Sequence, residues 1–246
     1  MIGVGVDLGR LTATYGSPVR PDEQDDVRRC EQVRAELLTR DEPIGDVYEA
    51  QTAKTDVTTV AKETANASCR PEKALFLYRL VRELRPSVVV EFGSALGVSG
   101  AYLASALRRN GEGRLVTVEG SPSRQSIAAG SIEAAAPGIT TSICGYFDDH
   151  LDVLAGAELF FNDGNHNEEP VLRYAQAALE RMSRPSVLVL DDAIGYSEGM
   201  TAAWNLLRVD RRFGRHAEAG PMGLLSLPDP AASERPGLLR RLARRS

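Results

Sequence analysis

The spacing of apolar positions changes character near residue 71. Upstream, residues 1–66 are polar and carry no run suited to a buried strand. "DEQDDVRRCEQVRAELLTR" places Val27, Cys30, Val33, Leu37 and Leu38 roughly on one helical face, and "DVTTVAKETANAS" carries a weaker helical pattern. Neither stretch makes a convincing separate domain, so a helical cap over 1–66 is expected to rest on the domain downstream. There, "PEKALFLYRLVREL" reads as a helix with Pro71 in its first turn. Short apolar runs then alternate with helical patterns. The strands are "SVVVEF", "RLVTVEG", "TTSICG", "AELFFNDG" and "SVLVLDD", and "RHAEAGPMGLLSL" supplies a last strand or hairpin. The helices are "VSGAYLASALRR", stopped by "NGEG", then "SRQSIAAGSIEAAA" before Pro137-Gly138, "PVLRYAQAALERM" and "GMTAAWNLLRV".

Continuous apolar strands alternating with helices predict an α/β fold around a mainly parallel sheet, buried on both faces. That assigns 67–228 to one α/β domain and leaves 229–246 as a basic tail. In such sheets ligands bind at the carboxyl ends of the strands. Glu91, Glu119, Asp163 and Asp191-Asp192 all fall at those ends, with Gly93, Gly120, Gly145 and Gly164 beside them. The chemistry is therefore expected on one edge of the sheet.

Composition narrows the function classes. Of 246 residues 43% are apolar, enough for a sizeable core, and the net charge of −5 argues against a nucleic-acid partner. The basic cluster "RPGLLRRLARRS" reads as a frayed, solvated helix before it reads as a contact for an anionic surface. Cys30, Cys69 and Cys144 are far apart, without a CxxC pair, which fits a reducing cytoplasm and argues against a disulfide framework or a zinc–thiolate site. No apolar run nears the roughly 18 residues needed to cross a membrane, and the first residues lack the pattern of a secretory signal.

"VVVEFGSALGVSG", residues 88–100, has the layout of a nucleotide-binding strand, loop and helix. Gly93 permits a sharp turn, and Gly97 is expected to let the backbone approach a ligand. The spacing is not G-x-G-x-x-G, and Glu91 stands where a pyrophosphate would be repelled. A ligand with positive charge suits that carboxylate. Glu119, 28 positions on, closes the second strand, where a carboxylate can accept both hydroxyls of a ribose. Either acid alone reads equally well as a solvated loop residue. Together they call for an adenosine with a cationic, zwitterionic tail, which is S-adenosylmethionine (SAM).

At this point the chain resembles a class I SAM-dependent methyltransferase, in particular the small O-methyltransferase-like domains common in bacterial secondary metabolism. "VVVEFGSALGVSG", "LVTVEG", "ELFFNDGNHNEEPVLRYAQAAL" and "SVLVLDDAIGY" carry the resemblance, over about residues 68–228. It implies a Rossmann-like, mainly parallel seven-stranded sheet with helices on both faces. It implies that Glu91, Gly93, Ser94, Gly97 and Ser99 surround the methionine part of SAM, and that Ser68 reaches its carboxylate. Glu119 would hold the ribose, with Gly120 and Ser121 alongside. Gly145, Tyr146 and Phe147 would meet the adenine, although either aromatic fits the core equally well. Asp163 would face SAM or the acceptor.

Methyl transfer to oxygen needs alignment of donor and acceptor and removal of a proton, by a base or by a divalent metal. His166 in "DGNHNEE" is placed to be that base or, equally, to orient its loop. Asp163, Asp191 and Asp192 offer hard oxygen ligands suited to Mg²⁺. Metal-dependent catechol-type methyltransferases carry an aspartate after the fourth strand and an Asp-Asn pair after the fifth, and Asp192 here takes the asparagine's place. The alternative is that Asp191 or Asp192 caps the following loop. Tyr196 and Trp204 are candidate pocket aromatics, with core packing the stronger reading for Trp204. The expected acceptor is a small molecule such as a sugar or natural product, and the polar, amphipathic first quarter suggests a homodimer. Two other functions remain open from sequence: a SAM-binding protein without methyl transfer, and an NAD(P)-dependent oxidoreductase.

Overall fold

The computed structural model describes residues 7–44 and 58–228. The basic tail 229–246, the first six residues and the segment 45–57 lie outside the described residues. The chain opens with α1 (Leu8–Thr12), a 3-10 turn over Pro21–Glu23, α2 (Gln24–Leu37), α3 (Val60–Ala67) and α4 (Pro71–Leu84). The α/β alternation then runs β1 (Val88–Phe92), α5 (Val98–Asn110), β2 (Arg114–Glu119), α6 (Pro122–Ala135), β3 (Thr140–Cys144), β4 (Leu159–Asn162), α7 (Glu168–Arg181), β5 (Ser186–Leu190) and α8 (Glu198–Leu207). It closes with the hairpin β6 (His216–Ala219) and β7 (Met222–Leu227).

The seven strands lie in the order β3-β2-β1-β4-β5-β7-β6. β1 to β5 pair in parallel, and β7 returns antiparallel between β5 and β6. Side-chain alternation explains the two cores. Val89, Phe161, Val187 and Val189 point to one face, where α4, α5 and α6 pack with α1 and α2. Val88, Val90, Phe92 and Phe160 point to the other, against α7 and α8. Burial on both faces is why β1 and β5 read as continuous apolar runs.

The N-terminal helices are bolted to this frame by buried charge. Arg79 of α4 forms a two-pronged pair with Glu23 (2.8 and 2.7 Å) and donates to the carbonyls of Thr14, Ser17 and Pro18. Asp26 of α2 accepts from the Tyr78 hydroxyl at 2.7 Å and from Arg109 at 2.8 Å. The apolar face of α2 is spent within the chain: Cys30, Val33 and Leu37 are buried in the same core as α5.

Candidate active site

The carboxyl ends of β1, β2, β4 and β5 surround two cavities. The smaller, about 230 Å³, is lined by Gly93, Ala95, Glu119, Gly120, Tyr146 and Asp163 among others. The larger, about 610 Å³, opens on the other side of the same loop, where α4 and the loop after β5 bring in Lys73, His166, Asp191, Asp192 and Tyr196. Gly93, Ala95 and Asp163 line both, so the two cavities adjoin across these residues.

Backbone geometry builds that junction. Gly93 has φ +88°, and a Cβ on it would stand 2.3 Å from the Asp163 carbonyl oxygen. Only glycine lets the β1 loop pass so close to the end of β4. The Glu119 carboxylate then clamps the loop from the side, accepting from the Ala95 amide at 2.9 Å and the Ser121 amide at 3.0 Å.

The residues expected around SAM divide into two sets. Ser68, Gly93, Glu119, Gly120, Gly145, Tyr146, Phe147 and Asp163 line one cavity or both. Glu91, Ser94, Gly97, Ser99 and Ser121 line neither. At Gly97 the absent Cβ would stand 2.7 Å from the Ala128 carbonyl, so this glycine is what lets α6 pack close. Glu91 is fully buried under α5, accepts from Thr117 at 2.8 Å, and faces Gly100, whose missing side chain makes room for it. Burial pushes its carboxyl up to about 7, against the opposing pull of the Ser99 and Thr117 hydroxyls. Ser121 caps α6 through the Arg124 amide.

Of the two aromatics after β3, Phe147 stacks on Phe92 at 4.9 Å and meets Tyr174 edge-on, which ties it to the core while it forms part of the wall. Tyr146 is 54% exposed and lines the smaller cavity. Trp204 is a core residue: it lies over Gly223 and its indole donates to Glu218 at 2.9 Å. Tyr196 is 61% exposed at the mouth of the larger cavity, its ring 4.9 Å from that of His166.

The acids behind these rings do converge. Asp163, His166 and Asp191 each offer an atom within 4.8 Å of the others'. His166 Nε2 is buried, has no hydrogen-bond partner among the described residues, and lies 3.5 Å from Asp163 Oδ1. Burial holds the imidazole below its ordinary value, despite the opposing charge of Asp191, so it is neutral at pH 7. Burial and the neighbouring Asp191 raise Asp163 well above the usual carboxylate range.

The structure adds a residue that the sequence pattern did not single out. Lys73, in the first turn of α4, donates to Asp191 Oδ2 at 2.5 Å and Asp192 Oδ1 at 3.2 Å. Burial alone would lower its pKa, but the Asp191 charge and hydrogen bond more than offset that and leave it raised. Asp192 sits at φ +49°, a left-handed conformation unusual for aspartate, which lets two successive carboxylates turn toward one ammonium.

A sheet in this order, with one reversed strand, a glycine turn after β1 and an acid closing β2, is a Rossmann-like fold of the methyltransferase type. Residues 90–193 match the family model described as a methyltransferase domain. A catechol O-methyltransferase from Niastella koreensis is 30% identical over 135 residues, covering 52% of this chain and 58% of that relative. The match thus spans little more than half the length of the curated relative. An O-methyltransferase from Bacillus cereus, solved in complex with S-adenosylhomocysteine (SAH), superposes with a TM-score of 0.58 at 16% identity, over 90% of this chain and 97% of that one. The O-methyltransferase TomG from Streptomyces achromogenes, solved with SAM, gives 0.59 at 18% identity, over 92% and 100%. The chain shares the fold of these O-methyltransferases, and its residues 90–193 match the methyltransferase-domain model.

Proposed function

We propose that this protein transfers a methyl group from SAM to an oxygen of a small polar acceptor. The observation that carries the proposal is that two cavities adjoin across Gly93, Ala95 and Asp163. Donor and acceptor held on opposite sides of that junction are aligned for an in-line displacement. The smaller cavity fits the nucleoside of SAM: a wall of glycine backbone, the Glu119 carboxylate for the ribose and the open Tyr146 ring for the base. The methionine end would pass Gly93 toward Ser68. When bound, SAM supplies a sulfonium methyl, whose carbon–sulfur bond breaks toward sulfur as the oxygen–carbon bond forms, leaving SAH.

This chain's own residues do the rest. His166 Nε2, neutral and without a partner among the described residues, takes the acceptor's proton. Tyr196 covers the acceptor at the mouth of the cavity. The polar lining from Asn66, Ser68, Arg70 and Glu72 supports a hydroxyl-rich natural product or sugar over an apolar one. A magnesium ion on Asp163, Asp191 and Asp192 is not part of the proposal, because Lys73 already holds two of those carboxylates. Three cysteines without a disulfide support a reducing, cytoplasmic setting.

The test is incubation with SAM and a panel of hydroxylated small molecules, read by mass spectrometry. The proposal expects an acceptor heavier by one methyl group and an equal amount of SAH. SAH binding with no transfer to any acceptor would favour a binding protein of this fold. Absence of SAM and SAH binding would refute both.

A further inference from the structure

We propose that Lys73 is the resident cation of the acceptor site, standing in place of a divalent metal, so that this protein's methyl transfer is metal-independent. The inference rests on the larger cavity being where the acceptor binds. Three aspartates gather at the ends of β4 and β5, and such a group needs positive charge between its members. The structure supplies that charge from the chain itself. The Lys73 Nζ lies 2.5 Å from Asp191 and 3.2 Å from Asp192, with 10% of the lysine side chain and 3% of the Asp191 side chain exposed.

The arm cannot swing away at little cost. Lys73 belongs to a helix whose next eight residues are all buried, and leaving would strand the Asp191 carboxylate. A magnesium ion needs oxygens at about 2.0–2.1 Å in near-octahedral array. One of the two Asp191 oxygens is already bound by the ammonium, so an ion on the other would sit beside a positive charge. Two polar atoms nearby stay without partners among the described residues, Asp191 Oδ1 and His166 Nε2, and these are left for the acceptor. Lys73 keeps its proton and acts as a positioning residue: it neutralises the acids so that His166 can serve as the base.

The experiment titrates the metal-free, full-length protein with Mn²⁺ and reads free ion by electron paramagnetic resonance. Wild type should bind no Mn²⁺ up to about 1 mM, the weak end for oxygen-ligand sites. Lys73→Met should bind at least ~10-fold tighter, and adding Asp191→Asn should abolish the gain. One Mn²⁺ bound by wild type at micromolar concentration and lost in Asp191→Asn would overturn the proposal. So would Lys73→Met, folded by circular dichroism, binding no better than wild type. Should Lys73→Met fail to fold, the comparison of wild type with Asp191→Asn decides. Calorimetry of SAH binding in EDTA keeps the two claims apart: lost SAH binding by metal-free wild type counts against the transfer reading, whereas the manganese result bears on Lys73 alone.

Discussion

The two halves of the site are built from different materials. The donor half is mostly backbone: glycines at β-strand ends and a loop whose amides are held by one carboxylate, Glu119. Most of its parts fall in the short loops that directly follow β1 to β4. The acceptor half is made of side chains from distant elements, and its central ion pair joins residues 118 positions apart. A backbone cradle demands particular residues at particular spacings, so it is visible locally. A side-chain cluster demands only complementary charge, which any element can bring.

The comparison is broken most severely by removing the base. His166→Ala should lower turnover about 10²–10⁴-fold while leaving SAH affinity within about twofold of wild type. Steady-state rates on an acceptor found in the panel, with calorimetry alongside, check this. Equal loss of both quantities would mean that the halves are not separable.

A smaller effect sharpens the contrast between the two acids of the donor half. Glu91 is folded in with its carboxyl raised to about 7 from an ordinary 4.5. The native state therefore holds a proton that the unfolded chain has lost. That contribution to stability is fully present below pH 4.5 and disappears as pH rises through 7. The whole span amounts to about 3 kcal/mol. Glu91→Gln should be nearly level with wild type in acid and more stable above neutrality, by denaturant melts from pH 4.5 to 8. A stability difference that does not change with pH would refute the buried, protonated state.

The contrast also accounts for what could be read from the chain. The sheet was legible because β1, β4 and β5 are apolar runs that stop at an acid or a glycine, as "VVVEF" and "LVLDD" do, although the polar β3 is not. Gly93 was legible for the same reason. The packing around Gly97 and Glu91 was not: what faces a glycine is set by the fold, and Ala128 of α6 is 31 residues away in sequence. Glu91 lies under a helix that only the fold puts there. Lys73 left a signal that went unused. In "PEKALFLYRLVREL" apolar residues occupy every face, so a charge within it must be buried and must have a partner. Arg79 and Lys73 obey that rule, with Glu23 and Asp191.

The central claim is that the smaller cavity holds the nucleoside of SAM with Glu119 on its ribose. Calorimetric titration of SAH into wild type, Glu119→Ala and His166→Ala tests it most directly. Removing the carboxylate should cost about 2–3 kcal/mol, the value of charge-assisted hydrogen bonds. The account predicts one SAH per chain, affinity weakened by about 30–150-fold in Glu119→Ala, and no comparable loss in His166→Ala. Unchanged affinity in a folded Glu119→Ala protein, or no binding by wild type, would contradict it.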